Sequence, residues 1–156
     1  MQDPLRRTAE QIARAAHEGQ VDKAGVPYIE HPRRVVEWVE RLSPGAPAEA
    51  TATAWLHDVL EDTDTTAADL RDHRIPGVVV TAVEALSKRP GEPVEAYFAR
   101  IRENDIALVV KRADLADNTD PERLALLPPA MRTRLEAKYH RAFTQLQIPP
   151  VHVLVG

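Results

Sequence analysis

Apolar side chains recur every three to four residues in one segment after another, and prolines stand between the segments. That spacing restricts the chain to packed helices. Leu5, Ala9, Ile12, Ala13 and Ala16 draw such a stripe along residues 4–17. Val35, Val36, Trp38, Val39 and Leu42 draw a second behind Pro32, whose missing N–H does no harm in the first turn of a helix. The alanine-rich run from Pro47 to about Thr63 reads as one mostly buried helix. Thr65 and Thr66 ahead of AADL fit an N-cap, where a hydroxyl accepts an orphaned backbone N–H. Val94, Tyr97, Phe98 and Ile101 predict another helix, residues 106–118 the next, and residues 131–147 a long terminal one. Only the β-branched run Val78, Val79, Val80, Ala82, Val83 has strand character. Its pattern continues through Ala85 and Leu86 after Pro76-Gly77, which favours a buried helix. No alternating strand pairs are joined by hairpin turns. The expected class is all-α, with about seven or eight helices.

Composition narrows the chemistry. A chain of 156 residues with 44% apolar and 28% charged side chains suits one folded domain, expected over residues 1–148, with 149–156 as an apolar tail. That tail packs on the domain, meets a second subunit in a homo-oligomer, or forms an edge strand. The absence of cysteine removes disulfides, thiolate nucleophiles and cysteine zinc sites, so any metal must be held by His and carboxylates. With 20 Lys and Arg against 24 Asp and Glu, the net charge of -4 argues against nucleic acid as a partner, although a small phosphorylated ligand needs only a local positive patch. The N-terminal stretch lacks an apolar h-region and no window resembles a membrane span, so the protein is read as cytoplasmic.

Two segments concentrate ionisable groups inside apolar surroundings. In the run around Trp55, His57 and Glu61 are i,i+4, as are Asp58 and Asp62, and on an ideal helix all four fall within about 140° of arc. Burying such charge unpaired costs several kcal/mol, and a bound cation is the simplest compensation. A solvated acidic helix end is the alternative, but it leaves a histidine between Leu56 and Val59 unexplained. In IALVVKRADLADN, Lys111, Asp114 and Asn118 form one polar stripe at i, i+3, i+7 along an otherwise apolar helix. A solvent-facing Lys111–Asp114 ion pair is the alternative there.

Taken in order, His31 after a loop containing Pro27-Tyr28, then LHDVLEDTDTT, then KRADLADN resemble the HD-domain phosphohydrolases, and more narrowly the alarmone hydrolases of the RelA/SpoT type and their small single-domain relatives. The resemblance runs from about Ala9 to Leu146. It implies an HD-type helical bundle whose metal ligands are His31, His57, Asp58 and Asp114 and whose cation is manganese. It also implies that Glu61 and Asp62 position or deprotonate the attacking water. Asn118 matches a nucleotide-contacting position, Lys88 and Lys111 are expected at phosphates or as solvated surface lysines, and Lys23 is retained from the family's loop. Tyr28 is a stacking ring or a loop-packing residue.

Two positions depart from that pattern. Asp22 stands where the family carries an arginine that packs on the guanine base, and Asp120 stands where it carries a basic residue after Asn118. A carboxylate cannot replace a guanidinium on an aromatic face. The implied activity is metal-dependent removal of the 3′-diphosphate of a (p)ppGpp-type alarmone. The alternatives are another phosphorylated nucleotide (an adenosine alarmone, the 2′-phosphate of NADPH, a 5′-nucleotide) and a non-catalytic nucleotide-binding domain. His17, His73, His140 and His152 are assigned no ligand role.

Overall fold

Asp3 starts the first helix with its carboxylate, which accepts from the Leu5 N–H at 2.8 Å, and Pro4 occupies the position where a missing donor is tolerated. The computed structural model describes residues 3–152. It runs α1 (Pro4–Ala16), α2 (Glu30–Leu42), α3 (Ala48–Leu56), α4 (Val59–Asp62), α5 (Ala67–Asp72), α6 (Gly77–Leu86), α7 (Val94–Arg102), α8 (Asp105–Asn118), α9 (Pro121–Leu124) and α10 (Pro129–Leu146). Among the described residues there is no strand, only an isolated bridge between Val21 and Pro27. None of the described helices is long and apolar enough to cross a membrane.

The third helix is the axis of the bundle. Every residue from Ala50 to Leu56 is buried, and α3 packs against α1, α2, α6 and α8. Four alanines along it let those neighbours approach closely on all sides, which is why the segment shows no polar face before His57. Residues 77–86 form a helix, as the length of the run favours. Val79, Val80, Val83 and Leu86 all face the core while Val78 is 56% exposed, a distribution that strand alternation cannot produce. Thr66 caps α5 in a reciprocal box, its hydroxyl accepting from the Asp69 N–H at 3.1 Å and the Asp69 carboxylate from the Thr66 N–H at 2.9 Å.

Two expectations change. The run from Pro47 to Thr63 is two helices, because the His57 imidazole Nδ1 takes the Ala54 carbonyl at 2.7 Å, the acceptor that the Asp58 N–H would use in a continuous helix. The four ionisable groups after Trp55 therefore do not share one ideal helical face. A one-turn α9, unmarked by any apolar period, brings the described helical segments to ten, eight of them longer than four residues. At the C-terminus, Val151 packs against the core and the His152 ring meets the Trp38 ring edge at 5.3 Å, its Nε2 lying 3.0 Å from the Ala116 carbonyl. The rest of the expected tail, residues 153–156, lies outside the described residues.

Two substitutions read these features by urea unfolding. Ala52→Leu overfills the completely buried α3 and is expected to cost about 1–3 kcal/mol. Thr66→Ala removes the cap and is expected to cost about 1 kcal/mol. An unchanged midpoint for Ala52→Leu contradicts the packing of α3 described above.

Candidate metal centre

His31 enters from the first turn of α2, His57 and Asp58 from the break between α3 and α4, and Asp114 from α8. The ligating atoms offered by His31, His57 and Asp114 all lie within 4.8 Å of one another. Asp58 stands at the edge of that group, its Oδ2 3.1 Å from His57 Nε2 and 3.8 Å from His31 Nε2, and it accepts a hydrogen bond from the Tyr28 hydroxyl. Four residues from three separate segments are thus brought to one buried point.

The orientation of each imidazole has a cause. His57 Nδ1 donates to the Ala54 carbonyl, which turns Nε2 toward Asp58 and toward Asp114 Oδ1 at 3.5 Å. Neither approach has hydrogen-bond alignment, so His57 Nε2 is a buried nitrogen without a hydrogen-bond partner. A lone pair facing two carboxylates needs a proton or a cation between them. His31 Nε2 lies 2.9 Å from Asp114 Oδ1, and its Nδ1 lies 2.7 Å from Asp117 Oδ2.

Asp117 is absent from the set read in the sequence. It is completely buried, and Arg34 Nε donates to its second oxygen at 2.9 Å, so its charge is compensated from α2 on both sides. Its position three residues after Asp114, on the same face of one helix, is the signal that marks it.

The remaining expected residues divide. Lys111 Nζ donates to Asp114 Oδ2 at 3.0 Å and Asn118 Nδ2 to Oδ1 at 3.2 Å. The Lys111–Asp114 pair exists, but it is buried in the centre instead of facing solvent. Glu61 accepts from the backbone N–H of Lys88, which ties the α6–α7 connection to the α4 turn. The Lys88 and Lys111 ammonium groups each stand 5.7 Å from the centroid of the Tyr97 ring. Asp62 Oδ2 lies 3.5 Å from the Tyr28 hydroxyl. The Tyr28 ring lies between those of His17 and His31, at 5.0 and 5.8 Å, which is the loop-packing arrangement. Lys23 is exposed on the loop.

Both departures from the family pattern have local structural work. Asp22 Oδ1 accepts from the Ala24 and Val26 N–H groups at 2.8 and 3.0 Å, closing a turn in which Gly25 takes a φ of 82°. Asp120 caps α9, accepting from the Glu122 N–H at 3.0 Å.

Burial alone would drive protons off the histidines and onto the carboxylates, but the mutual pairing outweighs it. Against its burial, Asp114 and Asp117 push His31 up to about 9, and Asp58 and Asp114 raise His57 well above its ordinary value. Asp58 is held low chiefly by His57, and Asp114 chiefly by Lys111. Burial and the neighbouring Asp58 raise both the Tyr28 hydroxyl and the Asp62 carboxyl.

A pH dependence follows for the metal-free protein. His31 binds its proton more tightly folded than unfolded, so its contribution is complete below its ordinary value of 6.5 and is lost as pH rises through about 9. The depressed carboxylates act oppositely, contributing above the ordinary value of 3.8 and failing as pH falls below it. Melting in chelator is therefore expected to be highest between those two ordinary values and to decline toward pH 9. A Tm that stays level from pH 6.5 to 9 contradicts the pairing.

Comparison with known proteins agrees with this architecture. The HD domain family matches residues 9–104, a span that includes His31, His57 and Asp58. The guanosine-3′,5′-bis(diphosphate) 3′-pyrophosphohydrolase of Haemophilus influenzae is 37% identical over 134 residues, covering 80% of this chain and 19% of that protein. The protein of the same name from Vibrio cholerae is 36% identical over 132 residues, 80% of this chain and 18% of its own length. The bifunctional (p)ppGpp synthase/hydrolase SpoT of Escherichia coli is 35% identical over 138 residues, 83% of this chain and 19% of its own. This chain spans about a fifth of the length of these curated relatives. Among solved structures, a metazoan ortholog of SpoT that hydrolyzes ppGpp shares the fold with a TM-score of 0.79 at 19% identity, over 94% of this chain and 88% of that one. The family match over residues 9–104 and the shared helical fold place the conclusion beyond resemblance: the chain belongs to the HD-domain family.

Proposed function

We propose that this protein is a metal-dependent pyrophosphohydrolase that removes the 3′-diphosphate of a (p)ppGpp-type guanosine alarmone. One observation carries the metal: His57 Nε2, buried and without a hydrogen-bond partner, faces two carboxylates beside a second imidazole. The nitrogen and oxygen donor set suits a divalent ion. The names of the curated relatives support the substrate.

A divalent cation, manganese in this reading, held by His31, His57, Asp58 and Asp114, would polarise a phosphoryl oxygen and lower the pKa of the attacking water. The chain itself prepares that site. Asp117 on His31 Nδ1 and the Ala54 carbonyl on His57 Nδ1 aim both Nε2 atoms inward, and Lys111 offsets the charge of Asp114. Asp62, its carboxyl raised by burial and by Asp58, accepts a proton from the attacking water. Glu61 acts with it, its own carboxylate anchoring the Lys88 segment. Lys23, Lys88 and Lys111 meet the phosphates and Asn118 the nucleotide. Tyr28 holds Asp58 in place and leaves the base to other groups.

A second reading keeps the metal and the hydrolysis but changes the substrate to an adenosine alarmone, the 2′-phosphate of NADPH or a 5′-nucleotide. The engagement of Asp22 in its own turn favours it, since no guanidinium stands there to stack on guanine.

Purified protein with manganese and guanosine-3′,5′-bis(diphosphate) is expected to release pyrophosphate, with activity lost on chelation and in Asp58→Ala. Turnover of one of the other substrates, releasing pyrophosphate from an adenosine alarmone or orthophosphate from the 2′-phosphate of NADPH or a 5′-nucleotide, with none from the guanosine compound, carries the second reading. No turnover of any of them overturns both. Asp62→Asn is expected to lower kcat by about 10²- to 10⁴-fold. Asp117→Asn, which leaves His31 Nδ1 without its carboxylate, is expected to weaken manganese binding by about 10- to 100-fold in calorimetry.

A further inference from the structure

The connection between α1 and α2 grips the α4 turn at two points. The Gln20 side chain donates from Nε2 to the backbone carbonyl of Asp62 at 2.7 Å, and its Oε1 accepts from His17 Nδ1 at 2.7 Å. The Tyr28 hydroxyl donates to Asp58 Oδ2 and stands 3.5 Å from Asp62 Oδ2, while its ring lies 5.0 Å from the His17 ring. Both arms therefore rest on His17. This residue is 2% exposed at the C-terminal end of α1, and its Nε2 is buried without a hydrogen-bond partner. An apolar side chain would fill the same space without an unpaired nitrogen, so packing alone does not account for an imidazole there. What an apolar side chain cannot supply is the Nδ1–H that orients the Gln20 amide. With its oxygen held by His17, the amide can present only its NH₂ group to Asp62.

We infer that His17 is a positioning residue which, through Gln20 and Tyr28, holds the Asp62 turn in register with the metal centre. This rests on the reading that Asp62 accepts the proton of the attacking water. The peptide of Asp62 is fixed by Gln20 and its carboxylate is bounded by the Tyr28 hydroxyl, so the distance from that carboxylate to the imidazoles of the centre depends on a strut 42 residues away in sequence. Small displacements of a reacting group are enough to cost about two orders of magnitude in rate.

Three variants separate this role from simple packing. Gln20→Met keeps the length of the side chain and removes both hydrogen bonds at a half-buried position. His17→Phe keeps a ring and removes the donor. His17→Asn restores an N–H close to the position of Nδ1. Gln20→Met and His17→Phe are expected to lower kcat by about 10- to 100-fold with KM and calorimetric manganese affinity within about twofold, and His17→Asn to recover most of the loss. In an Asp62→Asn background Gln20→Met is expected to add no more than about twofold, because its effect passes through Asp62. Where His17→Phe fails to fold, Gln20→Met carries the test. Unchanged kcat in folded Gln20→Met, a full loss persisting in the Asp62→Asn background, or an equal loss of manganese affinity each overturns the inference.

Asp62→Asn alone reports on the Asp62 reading: undiminished kcat there removes that reading whatever the strut variants do. Nitrogen-15 NMR of the histidine rings needs no turnover. His17 is expected as the Nδ1–H tautomer in the parent protein, and to lose that signature in Gln20→Met. A parent spectrum showing the Nε2–H tautomer overturns the strut directly.

Discussion

Asp114 receives three groups at once: His31 Nε2 at 2.9 Å, Lys111 Nζ at 3.0 Å and Asn118 Nδ2 at 3.2 Å. A carboxylate this deeply buried is tolerable only with such company, and the company comes from two helices. The α2–α8 contact is consequently both a packing interface and an electrostatic one. Val35, Val36 and Val39 bury the apolar side of α2, while His31 and Arg34, one turn apart, engage Asp114 and Asp117 on α8. Sliding one helix against the other would break both kinds of contact together.

The break after Leu56 has the same logic. A continuous helix through residue 62 would spend the Ala54 carbonyl on the Asp58 N–H. Spent instead on His57 Nδ1, it orients the imidazole and releases the chain into the short α4 turn, where Glu61 meets the Lys88 backbone and Asp62 meets the Gln20 amide. One local hydrogen bond thus aims a ring and redirects the acidic pair that follows it. The neighbouring alanines make this possible, because a helix with no bulky side chains lets α1, α2, α6 and α8 surround it and exclude water from its end.

The two acidic departures from the family pattern leave the centre intact. Asp22 and Asp120 each close a local backbone turn or cap, and neither touches the His31, His57, Asp114 group. A carboxylate spent on its own turn or cap changes the local charge without disturbing the buried pairs, since charges near solvent are screened by salt far more than buried ones. Lys88, Arg100 and Lys111 share one aromatic ring, that of Tyr97.

By itself the sequence determined what depends on neighbours within a turn or two. The helical periods, a threonine N-cap ahead of AADL, the helical state of residues 77–86 and the gathering of ionisable groups around Trp55 and in KRADLADN are all properties of local spacing, and the structure contains each of them. Tertiary structure decided which of those groups meet. His31 and Asp117 are 86 residues apart, Gln20 and Asp62 are 42 apart, and Tyr28 and Asp58 are 30 apart. No local period encodes such pairs, because they form only when helices whose apolar faces were already legible pack at one particular register. The break at His57 escaped for a related reason: helix propensity favours continuity through Leu56 and Leu60, and only a side chain competing for a single carbonyl, inside an already buried helix, ends it.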